Sequence, residues 1–192
     1  MFRAELASSS STRRFLRLIQ LKDSYTSKHS QRVAQYAVAI GRMMNMSKKD
    51  LRVLWCGAIL HDVGKLEIRY TLLNKRAPLT QEEWSILEKH PSRGEELAKS
   101  YGIVSEVLPI IRHHHERFDG TGYPDGLKGK EIPLTARIVT VADSFDAMTS
   151  ERPYANFSDY ERALNELEKH KGTQFCPEVV DSFFRVLEID QR

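Results

Sequence analysis

The chain carries seven histidines, and five of them, His29, His61, His90, His114 and His115, fall on apolar helix faces or at expected helix ends. Asp62 and Asp143 lie in equally apolar company. An imidazole or carboxylate in such surroundings is costly to bury bare, because each needs a hydrogen-bond partner or a cation. Metal ligation meets that need. One cation takes about four to six ligands, so seven protein ligands point to two metals with Asp62 bridging them. No cysteine joins the set, and nitrogen dominates it. That disfavours a structural zinc site or a magnesium-only site and fits iron or manganese, with zinc or nickel possible. Open positions would hold water, acidified into a hydroxide nucleophile. Lys65, one helical turn past His61, would set a positive charge beside the same centre, as suits a phosphate ester whose charge grows in the transition state.

These residues must be positioned by helices. Residues 25–45 place Val33, Tyr36, Ala37, Ile40 and Met44 three and four apart, with His29 near that stripe. Ser47-Lys-Lys-Asp50 reads as an N-cap opening the helix that ends in His61-Asp62. Thr80-Gln-Glu-Glu83 reads as a capping box whose helix runs to His90, where Pro91 stops or kinks it. Residues 105–116 form the next expected helix, ending in His113-His114-His115-Glu116. The run from Arg117 to Lys130 holds four glycines and a proline and reads as a surface loop, a favoured place for function. Pro133 opens a helix over 134–149 in which Asp143 and Asp146 are embedded, and helices over 158–171 and 177–189 close the chain. A short lead-in helix is expected over 13–22. No alternating strand pattern is present, so the fold class is all-α, a single domain of about seven helices.

Composition bounds the reading. At 192 residues and 22.1 kDa the chain can bury a real core as one domain. A net charge of +3 is too mild to imply DNA binding, though it suits a small anionic ligand. The longest apolar run falls well short of a membrane span, and the start lacks the apolar core of a signal peptide, so no membrane association and a cytoplasmic location are expected. Cys56 and Cys176 lie far apart, as free thiols in a reducing compartment would.

The segments His61-Asp62-Val-Gly-Lys65, His114-His115-Glu-Arg-Phe-Asp119-Gly-Thr-Gly122-Tyr123-Pro124, Ile132-Pro133-Leu-Thr-Ala-Arg137 and Ala142-Asp143-Ser-Phe-Asp146-Ala together resemble the HD-GYP branch of the HD phosphohydrolase superfamily. The similarity runs from about Asp23 to Phe184, giving a lead-in segment over 1–22 and an HD-GYP domain over 23–192. The resemblance implies a helical bundle of the HD superfamily and metal-dependent hydrolysis of cyclic di-GMP to pGpG or GMP. It implies His29, His61, Asp62, His90, His114, His115 and Asp143 as metal ligands. Asp62 and Lys65 then act at the reacting centre, while Lys65, Tyr123, Arg137 and Arg152 face the substrate. Alternatives of the same chemistry are hydrolysis of cyclic GMP-AMP or of another phosphate ester. An alternative of a different class is a non-catalytic module that senses cyclic di-GMP and docks GGDEF-type proteins through Gly122-Tyr123-Pro124.

Departures refine this. Relatives with a third metal place a carboxylate one turn before the first ligating histidine, where this chain has Tyr25, so two metals are expected. Ala155 replaces a frequently basic residue after Arg152-Pro153-Tyr154, which predicts weaker substrate affinity. Sensory or receiver domains usually precede this domain in relatives, so the chain reads as a free-standing enzyme or an excised piece. Glu116 and Asp119 are expected to anchor the loop or to support the histidines from behind, in preference to transferring protons, and Asp146 to orient a ligand or to pair with Arg137. His113 is expected to be exposed or to support the site from behind, and His170 to serve only its helix terminus.

Overall fold

The computed structural model describes residues 24–150 and 157–190, and the expected lead-in helix over 13–22 lies outside them. The first long helix, α1 (Ser24–Met43), buries Val33, Ala34, Ala37 and Ile40 along one stripe. His29 precedes Val33 by four residues and so faces the same way. The second, α2 (Lys48–Leu60), starts at Ser47, whose hydroxyl accepts the Asp50 amide at 3.1 Å. A 3-10 turn over Val63–Glu67 follows.

Next come the one-turn α3 (Tyr70–Leu73), α4 (Gln81–Leu87), α5 (His90–Ser100) and α6 (Leu108–His113). The capping box at Thr80 forms as expected, with Thr80 and Glu83 each satisfying the other's backbone amide. Two boundaries differ from expectation. His90 opens α5 instead of closing α4, because Pro91 falls in a first turn, where a missing N–H breaks no helical bond. The helix expected over 105–116 shrinks to α6, which Pro109 likewise starts and His114 caps.

The C-terminal part is α7 (Leu134–Ser150), α8 (Phe157–Lys169) and α9 (Pro177–Asp190). Among the described residues there is no β-strand, only an isolated bridge between Lys171 and Phe175. None of the described helices is long and apolar enough to cross a membrane.

Two apolar clusters hold the bundle. The larger joins α1, α2, α7, α8 and α9 through Ile40, Leu54, Ile138, Phe145, Leu167 and Phe183. Phe145 stacks edge-on against Phe183, with ring centroids 4.8 Å apart, and against Tyr36 at 5.3 Å. The smaller joins α2, the 3-10 turn, α5 and α6 through Leu60, Val63, Ala98, Val107 and Ile111. Each large apolar side chain so buried contributes about 1.5–3 kcal/mol. α2 belongs to both clusters, and its C-terminal end therefore delivers His61 and Asp62 to the seam between them. Cys56 and Cys176 are both free and buried.

Candidate metal centre

Three histidines use one device. His61 donates from Nδ1 to the Ala58 carbonyl at 2.7 Å, His90 to Leu87 at 2.7 Å and His114 to Ile111 at 2.9 Å. Each acceptor lies three residues back, in the last turn of α2, α4 or α6, where carbonyls have no helical partner. A proton fixed on Nδ1 makes the Nε2 lone pair the one that each ring can offer a cation.

Those lone pairs converge. His61 Nε2 lies 3.4 Å from Asp62 Oδ2 and 3.6 Å from Asp143 Oδ1, and His29 Nε2 is 3.1 Å from the same Asp143 oxygen. On the other side, Asp62 Oδ1 is 3.2 Å from His90 Nε2 and 3.8 Å from His114 Nε2. Two clusters result: His29, His61 and Asp143 in one, Asp62, His90, His114 and His115 in the other, with ligand atoms in each within 4.8 Å of one another. Asp62 turns one oxygen toward each.

The residues fit a divalent cation on structural grounds. His61 Nε2 and Asp62 Oδ1 are buried and have no hydrogen-bond partner, a cost that ligation removes. In the metal-free protein the electrostatics adjust to compensate. Burial opposes charge on His61, but Asp62 and Asp143 outweigh it and push the ring up to about 10. His29 rises to about 9, its burial outweighed by hydrogen bonds to Asp143 and Asp146. Burial also opposes the charged Asp62 carboxylate, yet Lys65 and His61 hold it well below the usual range. His115 falls to about 4 through burial and the neighbouring His90, and His114 falls well below the ordinary value for the same kind of reason.

The remaining parts of the site follow from glycine. A Cβ on Gly64 would press into the His90 carbonyl oxygen and come within 2.7 Å of the Gly94 nitrogen, so only glycine lets the 3-10 turn lie against α5. That contact fixes Asp62 beside His90 and sets Lys65 Nζ 2.7 Å from Asp62 Oδ2. Gly122 plays the same part in the loop, where a Cβ would stand 2.6 Å from the His115 carbonyl oxygen. The close approach lays the Tyr123 ring on that of His115, with centroids 4.9 Å apart and planes 26° apart. Glu116 anchors the loop from below, accepting the Asp125 amide at 2.8 Å and the Leu127 amide at 3.1 Å. Asp119 accepts the amide and hydroxyl of Thr121 at 3.0 and 2.6 Å.

The structure thus brings together His29, His61, Asp62, His90, His114, His115 and Asp143, with Lys65 and Tyr123 alongside. Arg137 is placed elsewhere: its guanidinium donates to the Ile132 carbonyl at 3.0 Å and to Cys176 Sγ at 3.1 Å. Nor does Asp146 pair with Arg137, since nine residues of one helix separate them by about 13 Å. Asp146 instead accepts from His29 Nδ1 at 2.7 Å and from Arg32 Nε and Nη2 at 2.6 and 2.9 Å. His113 faces Asp125 at 3.5 Å and Glu116 at 3.7 Å, behind the cluster. Arg152, Tyr154 and Ala155 lie outside the described residues.

Sequence reasoning missed Arg32 and Thr140. Thr140 Oγ1 lies 2.7 Å from the His114 carbonyl oxygen. The signal for Arg32 was its place one turn after His29, on the flank of the buried stripe.

The HD domain family model matches residues 14–179. The cyclic di-GMP phosphodiesterase response regulator RpfG of Xanthomonas campestris pv. campestris is 40% identical over 174 residues, covering 90% of this chain and 46% of its own length. The 3'3'-cGAMP-specific phosphodiesterase 3 of Vibrio cholerae is 35% identical over 175 residues, covering 91% of this chain and 38% of its own length. The chain therefore spans less than half the length of these curated relatives. Among solved structures, Bd1817, a HDG"Y"P protein from Bdellovibrio bacteriovorus, superposes with a TM-score of 0.69 at 23% identity, covering 85% of this chain and 52% of that one, a likeness of fold. A helical bundle that closes on a buried His/Asp cluster, a match across most of the sequence and relatives at this identity lead to one conclusion: the chain belongs to the HD domain family.

Proposed function

We propose that the chain is a metal-dependent phosphodiesterase that hydrolyses cyclic di-GMP to pGpG or GMP. The observation that carries this is Asp62, whose two oxygens face two different clusters of ligand-type atoms, one oxygen being buried without a partner. His29, His61 and Asp143 would hold one cation and His90, His114 and His115 another, with Asp62 shared. Iron or manganese suits this nitrogen-rich set, with zinc, nickel or magnesium as weaker candidates. Bound there, two divalent cations supply an acidified water as nucleophile and offset phosphoryl charge.

The protein's own residues do the rest. The helix-end carbonyls and Asp146 keep the imidazoles of His29, His61, His90 and His114 in one orientation, which limits reorganisation as charge develops. Lys65 Nζ, paired with Asp62 and one-third exposed, is within reach of a phosphate oxygen beside the cluster. Its ammonium offsets the charge that grows on the phosphoryl oxygens while water adds to phosphorus, the P–O3′ bond breaks and the 3′ oxygen leaves as a hydroxyl with a proton from that water. Tyr123, flat against His115, offers a ring face to a guanine base. Arg152 is a further phosphate contact in this reading.

A second substrate reading, cyclic GMP-AMP, is favoured by the 35%-identical relative. Incubating protein purified anaerobically with Mn²⁺ with each dinucleotide, and separating the products by chromatography, distinguishes the two. Turnover of cyclic di-GMP that Asp62→Ala abolishes is expected; turnover unchanged by Asp62→Ala overturns the mechanism. Full metal loading with neither nucleotide cut would instead favour a sensing and docking module for GGDEF proteins.

A further inference from the structure

His29 is held by a different means from its neighbours. His61, His90 and His114 lean on carbonyls left over at helix ends, but His29 sits inside α1, where the carbonyl three residues back is already taken by the helical ladder. Its Nδ1 turns instead to Asp146 Oδ2 at 2.7 Å, across to α7. Asp146 is fully buried and is gripped by the Arg32 fork at 2.6 and 2.9 Å and by Ser150 Oγ at 3.2 Å.

We infer that Arg32 and Asp146 form a positioning pair that fixes the tautomer of His29, so that one metal half-site depends on a buried carboxylate that the other does without. The inference rests on the two-metal reading. The chemistry is a matter of donors and acceptors. Arg32 only donates, so it demands acceptors from residue 146. A carboxylate satisfies Arg32 with both oxygens and still accepts from His29 Nδ1–H, which leaves Nε2 open toward Asp143. An asparagine has one acceptor oxygen, and Arg32 Nε, the shortest contact to residue 146 at 2.6 Å, draws it to the place of Oδ1, away from His29. The amide NH2 then turns to His29 Nδ1, and the ring moves its proton to Nε2, closing the face that would ligate. The same logic makes Arg32 the cause of the damage: with Arg32 gone, the asparagine oxygen is free to accept from Nδ1–H again.

The test is a Mn²⁺ titration of the full chain, reading free Mn²⁺ by electron paramagnetic resonance, with unfolding of the metal-free proteins followed in parallel. Wild type is expected to bind two ions, and Asp146→Asn to bind one as before and the second about 10–100-fold more weakly, the usual cost of losing a ligand's supporting partner. The Arg32→Met/Asp146→Asn double variant should recover most of that loss, an effect that a merely structural carboxylate does not produce. An Asp146→Asn isotherm equal to wild type overturns the inference, as does a double variant that binds no better than the single one. So does loss of both ions together with the metal-free unfolding transition. A wild type that binds a single ion refutes the two-metal reading instead; the positioning role then stands if Asp146→Asn matches His29→Ala and falls if it matches wild type.

Discussion

Replacing Gly64 with alanine tests how the site is assembled, because this residue separates the two backbones that carry Asp62 and His90. The new Cβ would sit 2.7 Å from the Gly94 nitrogen and closer still to the His90 carbonyl oxygen, where ordinary contact begins near 3.4 Å. At least about 0.7 Å of separation must therefore open between the 3-10 turn and α5. Both neighbours are backbone, so no side chain can rotate away. Overpacking of this kind costs about 1–3 kcal/mol, and the rigid contact places Gly64→Ala at the upper end. For a domain of this size about 3 kcal/mol corresponds to a fall in Tm of roughly 6–12 °C. The same displacement pulls His90 Nε2 from its 3.2 Å separation to Asp62 Oδ1, and a misplacement of about 1 Å in a reacting site costs on the order of 100-fold. Gly57→Ala is the comparator, since its Cβ meets the Ile110 side chain in the α2–α6 packing, away from the 3-10 turn. Scanning calorimetry of the metal-free proteins and Mn²⁺ affinity, measured for both variants, separate stability from ligand placement. A Gly64→Ala protein that matches wild type in Tm and in metal affinity would refute the claim that this contact sets the site.

Three further outcomes follow from the geometry. Lys65→Ala should lower turnover about 100-fold or more while leaving two metals bound, because its charge acts on the phosphoryl oxygens; equal losses of metal and rate, by metal analysis and chromatography, would make Lys65 structural. Metal loading near pH 7 should release protons. His29 at about 9 and His61 at about 10 both carry a second ring proton there in the metal-free state, and ligation requires the lone pairs that it occupies. Affinity then rises with pH and levels off above about 10, and calorimetry in two buffers of different ionisation enthalpy should give different apparent heats; identical heats contradict this. Glu116→Ala removes the buried acceptor of two loop amides and should cost about 3 kcal/mol, with faster tryptic cleavage at Lys128 and Lys130; cleavage at the wild-type rate would show that the loop is held by other contacts.

Much of this centre is legible in the sequence because its ligands lie at helix ends, and helix ends announce themselves through caps, prolines and glycines. Ser47 and Thr80 mark two of the starts correctly. The same signals mislead where proline has two meanings: Pro91 reads equally as the stop of one helix or the first turn of the next, and only packing of α5 against the 3-10 turn decides for the latter. What the sequence does not show is pairing at long range. Arg32 looks like one more charge on an amphipathic helix until α7 brings Asp146 to it from 114 positions away. Arg137 shows the converse, since a motif position that suggests a substrate contact is engaged with the Ile132 carbonyl and Cys176.

The most direct test is anomalous diffraction at the manganese edge from crystals grown with Mn²⁺. Two peaks are predicted, one among His29, His61 and Asp143 and one among His90, His114 and His115, each bound by a different oxygen of Asp62. A single peak, or two peaks that do not share Asp62, would contradict the account.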